Sequence, residues 1–269
     1  MQAAPLRFPA RLLRAVPNLA VGFVTIIGAA LLLLGSAVVG LGRVLVRSDR
    51  FTRRQTVETL DRGILRPLPL VGLLSILLGA ILGLTIASAF AVAHVERVLL
   101  PLLRTILVRH AVPAVIGIHV VGEGGLWLVA RLCALRASGE ADTMRTLGIS
   151  PANWVLPQAL LGFFLLASVQ FLWAGFVAQL AAALVLLARD GVPVSHYVDI
   201  LGGASARADA WAGFARCEAT ALMAWMVAAT TGTMASGTLD QTAHATRITF
   251  LVSLLGILAI AAVFTWAGA

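Results

Sequence analysis

The sequence predicts an all-α, polytopic membrane protein: an N-terminal interfacial or re-entrant elbow helix, five transmembrane helices, and a short cytoplasmic helix between two of them. Three observations carry this expectation. The chain is 60% hydrophobic and only 12% charged over 269 residues, and a soluble domain of that length could not cover its surface with so few polar groups. Several apolar runs exceed the roughly 20 residues needed to cross a bilayer. Nowhere do polar and apolar residues alternate in the ten-residue segments of a membrane β-barrel. With no internal repeat and no low-complexity linker, residues 1–269 read as one domain, with an elbow segment 1–67 and a transmembrane core 68–269.

The first apolar run, 19–46, follows Arg7, Arg11 and Arg14 and precedes an Arg cluster from Arg43 to Arg66. It is far longer than the apolar region of a signal peptide, about 7 to 15 residues, and is read as retained. A simple crossing would leave one Arg-rich flank outside, against the positive-inside bias. An elbow with both ends in the cytoplasm avoids that conflict, with an ordinary span as the alternative. Five stronger spans follow at about 68–94, 110–134, 152–188, 210–234 and 247–267. The stretch 95–109 either extends the helix after it or lies in the outer interface. The run 152–188 is too long for one crossing of ~30 Å at 1.5 Å per residue, so it must tilt, protrude or break. A cytoplasmic N-terminus then puts 136–150 and 235–246 inside, and 95–109, 189–209 and the C-terminus outside.

The net charge is +8, and all 20 basic residues are Arg. They flank apolar spans, so topology and lipid headgroups account for them and nucleic acid is not an expected partner. Cys133 and Cys217 form neither a disulfide framework nor a metal-ligand spacing and read as small buried hydrophobes. Gly79, Gly83 and Ala87 on one span, and Ala174, Ala178 and Ala182 on another, form small-residue rows. Such rows let helices approach closely in lipid, within the chain or across a dimer.

One polar stretch, "SGEADTMRTLGISP" (138–151), interrupts the apolar sequence. Ser138 is expected to cap a helix, with Glu140 and Asp142 in its first turn. Arg145 is within pairing reach of Asp142, and Gly148 and Pro151 end the helix. Ala141, Met144 and Leu147 share one face. A reversal of direction needs only a few residues; a capped helix with an apolar stripe suits a coupling helix, 138–150, gripped by a cytoplasmic ATPase. An incidental interfacial helix is the alternative.

Ionisable groups at membrane depth are costly and are functional candidates by default. Glu123 lies among glycines, with His119 at i−4 within pairing reach. Glu123 can form a structural pair with His119 or with an Arg, line a water-exposed cavity, or take part in a proton-linked step. Arg109 and His110 lie near the outer end of the same span, where Arg109 can hold a lipid phosphate or snorkel to the interface. Arg216 and Glu218 are two residues apart and so face different ways. No phosphate-binding loop, metalloprotease motif or metal cluster is present, so any ATP is expected to be hydrolysed by a partner. His110, His119, His196 and His244 are scattered. Three classes remain: a transporter subunit, a membrane anchor or scaffold, and an intramembrane enzyme.

The segment "RHAVPAVIGIHVVGEGGLWLVARLCALRASGEADTMRTLGISPANWVLPQ" resembles the MlaE/YrbE family of ABC-transporter permeases. That family carries R-E-L-G-P, a Gly-rich span, E-Q-x-D-A-L-x-x-M-G-x-x-P and then V-P-R. Matching positions are Arg109, Pro113, Gly122, Gly125, Asp142, Gly148, Pro151 and Pro157. Near the C-terminus "AHATRITF" is similar to the family's A-T-T-x-A-V-V, with Thr246 and Arg247 in place. Departures are His110 for Glu, Ala111-Val112 for Leu-Gly, Glu123 for Arg, Gly139 for the coupling Glu (with Glu140 one position later), and Gln158 for Arg. The likeness runs from about residue 50 to the end and is strongest over 109–158. It implies a bacterial inner-membrane permease for phospholipid-class cargo. The resemblance places Arg109 close to the lipid pocket; from the residues themselves, Glu140, Asp142, Met144, Arg145 and Leu147 are the ATPase-coupling candidates, and His110, His119 and Glu123 join Arg109 as lipid or cavity candidates. It also implies a second permease copy or paralogue, a cytoplasmic ABC ATPase carrying ATP and Mg, and an MCE-domain lipid-binding protein outside. No cofactor is expected in this chain.

Overall fold

The computed structural model describes residues 28–42, 66–93, 96–148 and 150–267. Every regular element among them is helical. In chain order they are α1 (Gly28–Gly42), α2 (Leu68–Ala93), α3 (Glu96–Thr105), a π-helical turn (Ile106–Ala111), α4 (Val112–His119), a second π-helical turn (Val120–Gly125) and α5 (Leu126–Ala137). After these come α6 (Glu140–Thr146), α7 (Pro151–Asp190), α8 (Val194–Leu201), α9 (Ala204–Met234) and α10 (Leu239–Ala267).

Among the described residues, four helices are both long and apolar enough to cross a membrane: Leu68–Ala89, Val98–Ala137, Pro151–Asp190 and Leu239–Ala267. The expected span 210–234 falls within α9, which is long enough but not apolar enough to join them. Three of its four charged groups face other helices, Arg207 in the first turn being exposed: Asp209 meets Arg104, Arg216 meets His110, and Glu218 meets Ser168. Helix α9 is therefore polar because it is interior. Of the stretch 95–109, residues 96–109 extend the following helix, since α3 runs into α4 through the first π-turn; residue 95 lies outside the described residues. The long run 152–188 does not break: α7 is one helix of 40 residues, about 60 Å long. The expected elbow lies mostly outside the described residues, as do Arg7, Arg11, Arg14 and Arg43. Its described part, α1, is about 22 Å long, short of a ~30 Å hydrocarbon core. Gly40 of α1 sits against Pro157 of α7, closer than any side chain at that position would allow.

Helix directions follow from the contacts. Gly213, Glu218 and Trp225 of α9 meet Phe171, Ser168 and Leu156 of α7 in descending order, so the two are antiparallel. Gly117 and Leu132 meet Thr220 and Gly232, so α4–α5 runs parallel to α9. Thr249 meets Thr231 while Ile257 and Thr220 both flank Gly117, so α10 returns antiparallel to α9. Helix α2 runs parallel to α7, with Gly72 at Trp173, Gly79 at Ala178 and Gly83 at Ala182.

That last pairing is where the small-residue rows come together. A Cβ on Gly79 would sit 2.1 Å from the Ala178 carbonyl oxygen, and one on Gly83 would sit 3.2 Å from Ala182 Cα. Ala87, Ala174, Ala178 and Ala182 are fully buried. The rows pack within the chain. In lipid no apolar surface is gained by association, so backbone-close contact of this kind supplies the attraction.

Candidate functional site

The residues singled out in the sequence sort into three places. At one end of the bundle stands α6. Gly139 before it and Gly148 after it have φ of 76° and 73°, left-handed values that suit glycine. The cap expected at Ser138 is not formed: Ser138 ends α5, and Gly139 takes the cap position of α6. The Ser138 hydroxyl accepts the Glu140 N–H at 3.4 Å. The glycine turn holds Ser138 one residue too far back to cap the first turn. The helix spans two turns rather than the whole of 138–150. Gly148 ends it as expected, and Pro151 opens α7, with Ser150 as its cap accepting the Asn153 N–H at 3.5 Å.

Asp142 and Arg145 pair at 3.0 Å on the exposed side of α6. Glu140 is exposed, Met144 is half-buried, and only Ala141 is buried against the bundle. Leu147 is 71% exposed, so the expected apolar stripe has one end inside and one end out. A cavity of about 310 Å³ lies beneath α6, bounded by the ends of α5, α7 and α9. At its rim Arg136 donates to the carbonyls of Gly232, Thr233 and Ala235, which end α9. A cation there satisfies carbonyls that have no helical partner and complements the helix dipole. Arg136 was not singled out in the sequence, because its acceptors are backbone groups about a hundred residues away.

The second place is the first π-turn, which carries Arg109 and His110. Pro113 has no N–H, so it cannot donate to the Arg109 carbonyl as an α-helix requires. That carbonyl accepts from Arg216 Nη1 at 2.9 Å, and the same nitrogen lies 2.8 Å from His110 Nδ1. The Arg216 guanidinium also stacks over Phe264 at 5.5 Å. Arg216 is 4% exposed. Its Nε and Nη2, and Nε of Arg109, are buried without a hydrogen-bond partner in the chain. The sequence singled out Arg216 without linking it to Arg109 and His110, which lie more than 100 residues earlier. The result is two guanidinium groups and an imidazole, brought together with donors to spare. Buried donors of this kind fit an anion with several acceptor oxygens.

The third place is the second π-turn, Val120–Gly125. Such turns are frequent at functional positions, and the two of them hold or adjoin every cavity residue expected from the sequence. Three of its six residues are glycine. Gly124 lets Phe163 of α7 approach to within 3.0 Å of where a Cβ would sit. Glu123 is exposed, His119 is half-buried, and no hydrogen bond joins them, so of the readings their spacing allowed a direct Glu–His bond is not formed. The π-turn begins just after His119 and alters the rise and rotation on which that expectation rested.

The end opposite α6 is closed by a buried polar hub. Arg104 of α3 donates to Asp209 at 2.8 Å, to the Ile200 carbonyl at 3.0 Å and to the Ser205 hydroxyl at 3.3 Å. Thr105 donates to the same Asp209 oxygen at 2.7 Å. Tyr197 of α8 donates to Gln179 of α7, and burial pushes its phenol above the ordinary tyrosine range, so it keeps this proton. Among the described residues no three His, Cys, Asp or Glu side chains converge as metal ligands would.

A helical bundle built on long apolar spans, with charged groups turned inward and a detached helix at one end, is the architecture of a multi-pass membrane permease. Residues 56–267 match the family Permease MlaE, and the chain belongs to that family. No curated protein matches it significantly.

Proposed function

We propose that the chain is the permease subunit of an ATP-driven transporter of phospholipid-class lipid in a bacterial inner membrane. The observation that carries this reading is α6. It is a two-turn helix set between two left-handed glycines, touching the bundle through Ala141 and presenting Leu147 outward. A helix so mounted moves as a unit on its two hinges and offers an apolar knob to a partner. That partner is a cytoplasmic ABC ATPase carrying ATP and Mg, gripping Glu140, Asp142, Met144, Arg145 and Leu147. Arg136, two residues before Ser138, ties the same end to α9, so displacement of α6 reaches α9 directly.

In this reading the membrane core has five crossings, α9 being the fifth, with the N-terminus and α6 in the cytoplasm. Residues 1–67 form the elbow of a single domain. Arg109 and Arg216 hold the lipid phosphate with the donors the chain leaves unpaired, and His110 sets the Arg216 guanidinium. A second permease copy or a paralogue completes an apolar cavity, and an MCE-domain protein delivers or receives lipid outside. Cavity exposure alternates as the ATPase dimer opens and closes.

The test is reconstitution with the ABC ATPase that co-purifies with it from its host, following ATP hydrolysis and movement of labelled lipid in the same vesicles. Leu147→Asp is expected to leave the folded complex in the membrane while lipid movement stops. Wild-type stimulation and transport in that variant would overturn the coupling role. A complex that holds an ATPase but no lipid, with no lipid moved, would leave a scaffold.

A further inference from the structure

The cavity beneath α6 carries positive charge on its walls. Its volume is about 310 Å³, and α5, α6, the start of α7 and the end of α9 enclose it. Leu132, Leu135 and Ala141 form an apolar floor, while Arg136, Arg145 and Ser150 supply polar groups. Among the described residues no acidic side chain lines it. The three acceptors of Arg136 are carbonyls, which satisfy its N–H groups but leave its charge uncompensated. Arg145 meets Asp142 at 3.0 Å, but the two side chains are 62% and 78% exposed, so solvent screens the pair. The N-terminus of α7, a helix of 40 residues, opens at the same wall and adds its dipole to the two guanidinium groups. Like charges brought to one cavity repel unless an anion lies between them.

We propose that this cavity is a regulatory site for a phosphate monoester, in which Arg136 and Arg145 take the phosphate oxygens and Leu132 and Leu135 take the adjoining carbon atoms. Guanidinium groups suit such an anion because each presents several N–H donors in a fixed plane. The volume is at the lower end of the range for ligand pockets, room for a phosphate group and the few atoms that carry it. The apolar floor favours an ester over a bare inorganic ion, which has no apolar part to place there. Binding alters how α6 is mounted. The helix stands on Gly139 and Gly148 and meets the bundle through Ala141. A bound phosphate ties Arg145 of α6 to Arg136, and through Arg136 to the carbonyls that end α9. The binding stands on the cavity alone, while its effect on coupling rests on the transporter reading above. A soluble ester and a lipid of the cytoplasmic leaflet present the same phosphate chemistry, and the two are separated by experiment.

The experiment is hydrogen–deuterium exchange of the full chain in nanodiscs, alone and with its ABC ATPase, read at α6 and the first turn of α7. Phosphatidylcholine discs receive glycerol 3-phosphate, with chloride at matched ionic strength as the control, and a second set of discs carries phosphatidic acid instead. Slowed exchange with glycerol 3-phosphate is expected of a soluble ester, and slowed exchange with phosphatidic acid alone identifies a lipid. No slowing in either set overturns the proposal. Arg145→Gln is expected to weaken the effect about tenfold, the size of one charge-assisted hydrogen bond. Ala152→Leu, which adds bulk at the cavity wall without removing a charge, is expected to abolish it. The same slowing in both variants would mean an adventitious ion only and would overturn the site. Loss of the slowing once the ATPase is bound would mean that the ATPase fills the cavity, and would overturn the regulatory role. In the assembled complex the ester is expected to raise the lipid moved per ATP, and an unchanged ratio counts against regulation. A complex that moves no lipid yet shows the slowed exchange would sink the transporter reading and leave the site standing.

Discussion

The Arg104–Asp209 pair is the clearest case in which one atom group sustains a large part of the fold. The side chains are 5% and 11% exposed, and Asp209 also accepts from Thr105. Removing one partner of such a pair leaves the other charge buried, which costs about 3–5 kcal/mol. Asp209→Leu is therefore expected to lower the thermal midpoint in detergent sharply, and Arg104→Met with Asp209→Leu to recover most of the loss. If the double variant is no more stable than the single, the cost lies in packing. The Asp142–Arg145 pair is the contrast. Both side chains are more than half exposed, so Asp142→Ala is expected to leave the midpoint unmoved while altering only ATPase coupling.

At the scale of elements, the α2–α7 contact is set by backbone approach. Gly79→Ala places a Cβ against the Ala178 carbonyl and is expected to separate the two helices, visible as loss of assembled complex. Gly175, on α7, has nothing within 4 Å of where its Cβ would be. Gly175→Ala is expected to be neutral or to stabilise by about 0.5–1 kcal/mol. The two substitutions are chemically identical, so a difference between them reports the contact alone. Arg136 makes a second element-scale prediction. Arg136→Leu leaves the carbonyls that end α9 without their donor and uncouples α9 from α6. ATP hydrolysis is expected to continue while lipid movement per ATP falls. An unchanged ratio would mean that the clasp only stabilises the fold.

Over the whole molecule, the alternating helix directions place α6 and the 235–238 turn at one end, and α3 and α8 at the other. Cys133 and Cys217 are both buried, so single cysteines added at the surface can report topology without removing them. Thr143→Cys is expected to react with a membrane-impermeant maleimide only from the cytoplasmic side, and Ser195→Cys only from outside. The reverse pattern would invert the proposed orientation. α10 is the least buried of the four apolar spans, with 17% of its window inside the chain. Much of its surface is thus left to lipid or to a second copy.

Local physics made much of this readable in advance. Apolar run length predicts helices at 68–94 and 247–267, and glycine at 148 ends α6 as the αL rule requires. The small-residue rows pack because their spacing repeats with the helix. The Ser138 cap failed for an equally local reason, the left-handed turn at Gly139. The His119–Glu123 pair failed because a π-turn shifts the register between them. Pro113 was the available signal for the first π-turn and the glycine run for the second. Nothing local signals that Arg136 clasps α9, or that Arg216 meets His110 and the Arg109 carbonyl.

By itself, then, the sequence determined that the chain is helical, lies in a membrane, carries a short polar helix between spans and resembles the MlaE permease family. Each of these rests on composition, periodicity or motifs within a few turns of one another. Tertiary structure decided which charges are paired, that α9 is polar because it is enclosed, and that Arg136 and Arg145 line one cavity. Partners at membrane depth are chosen by helix packing across about a hundred residues, and no local pattern records which faces will meet.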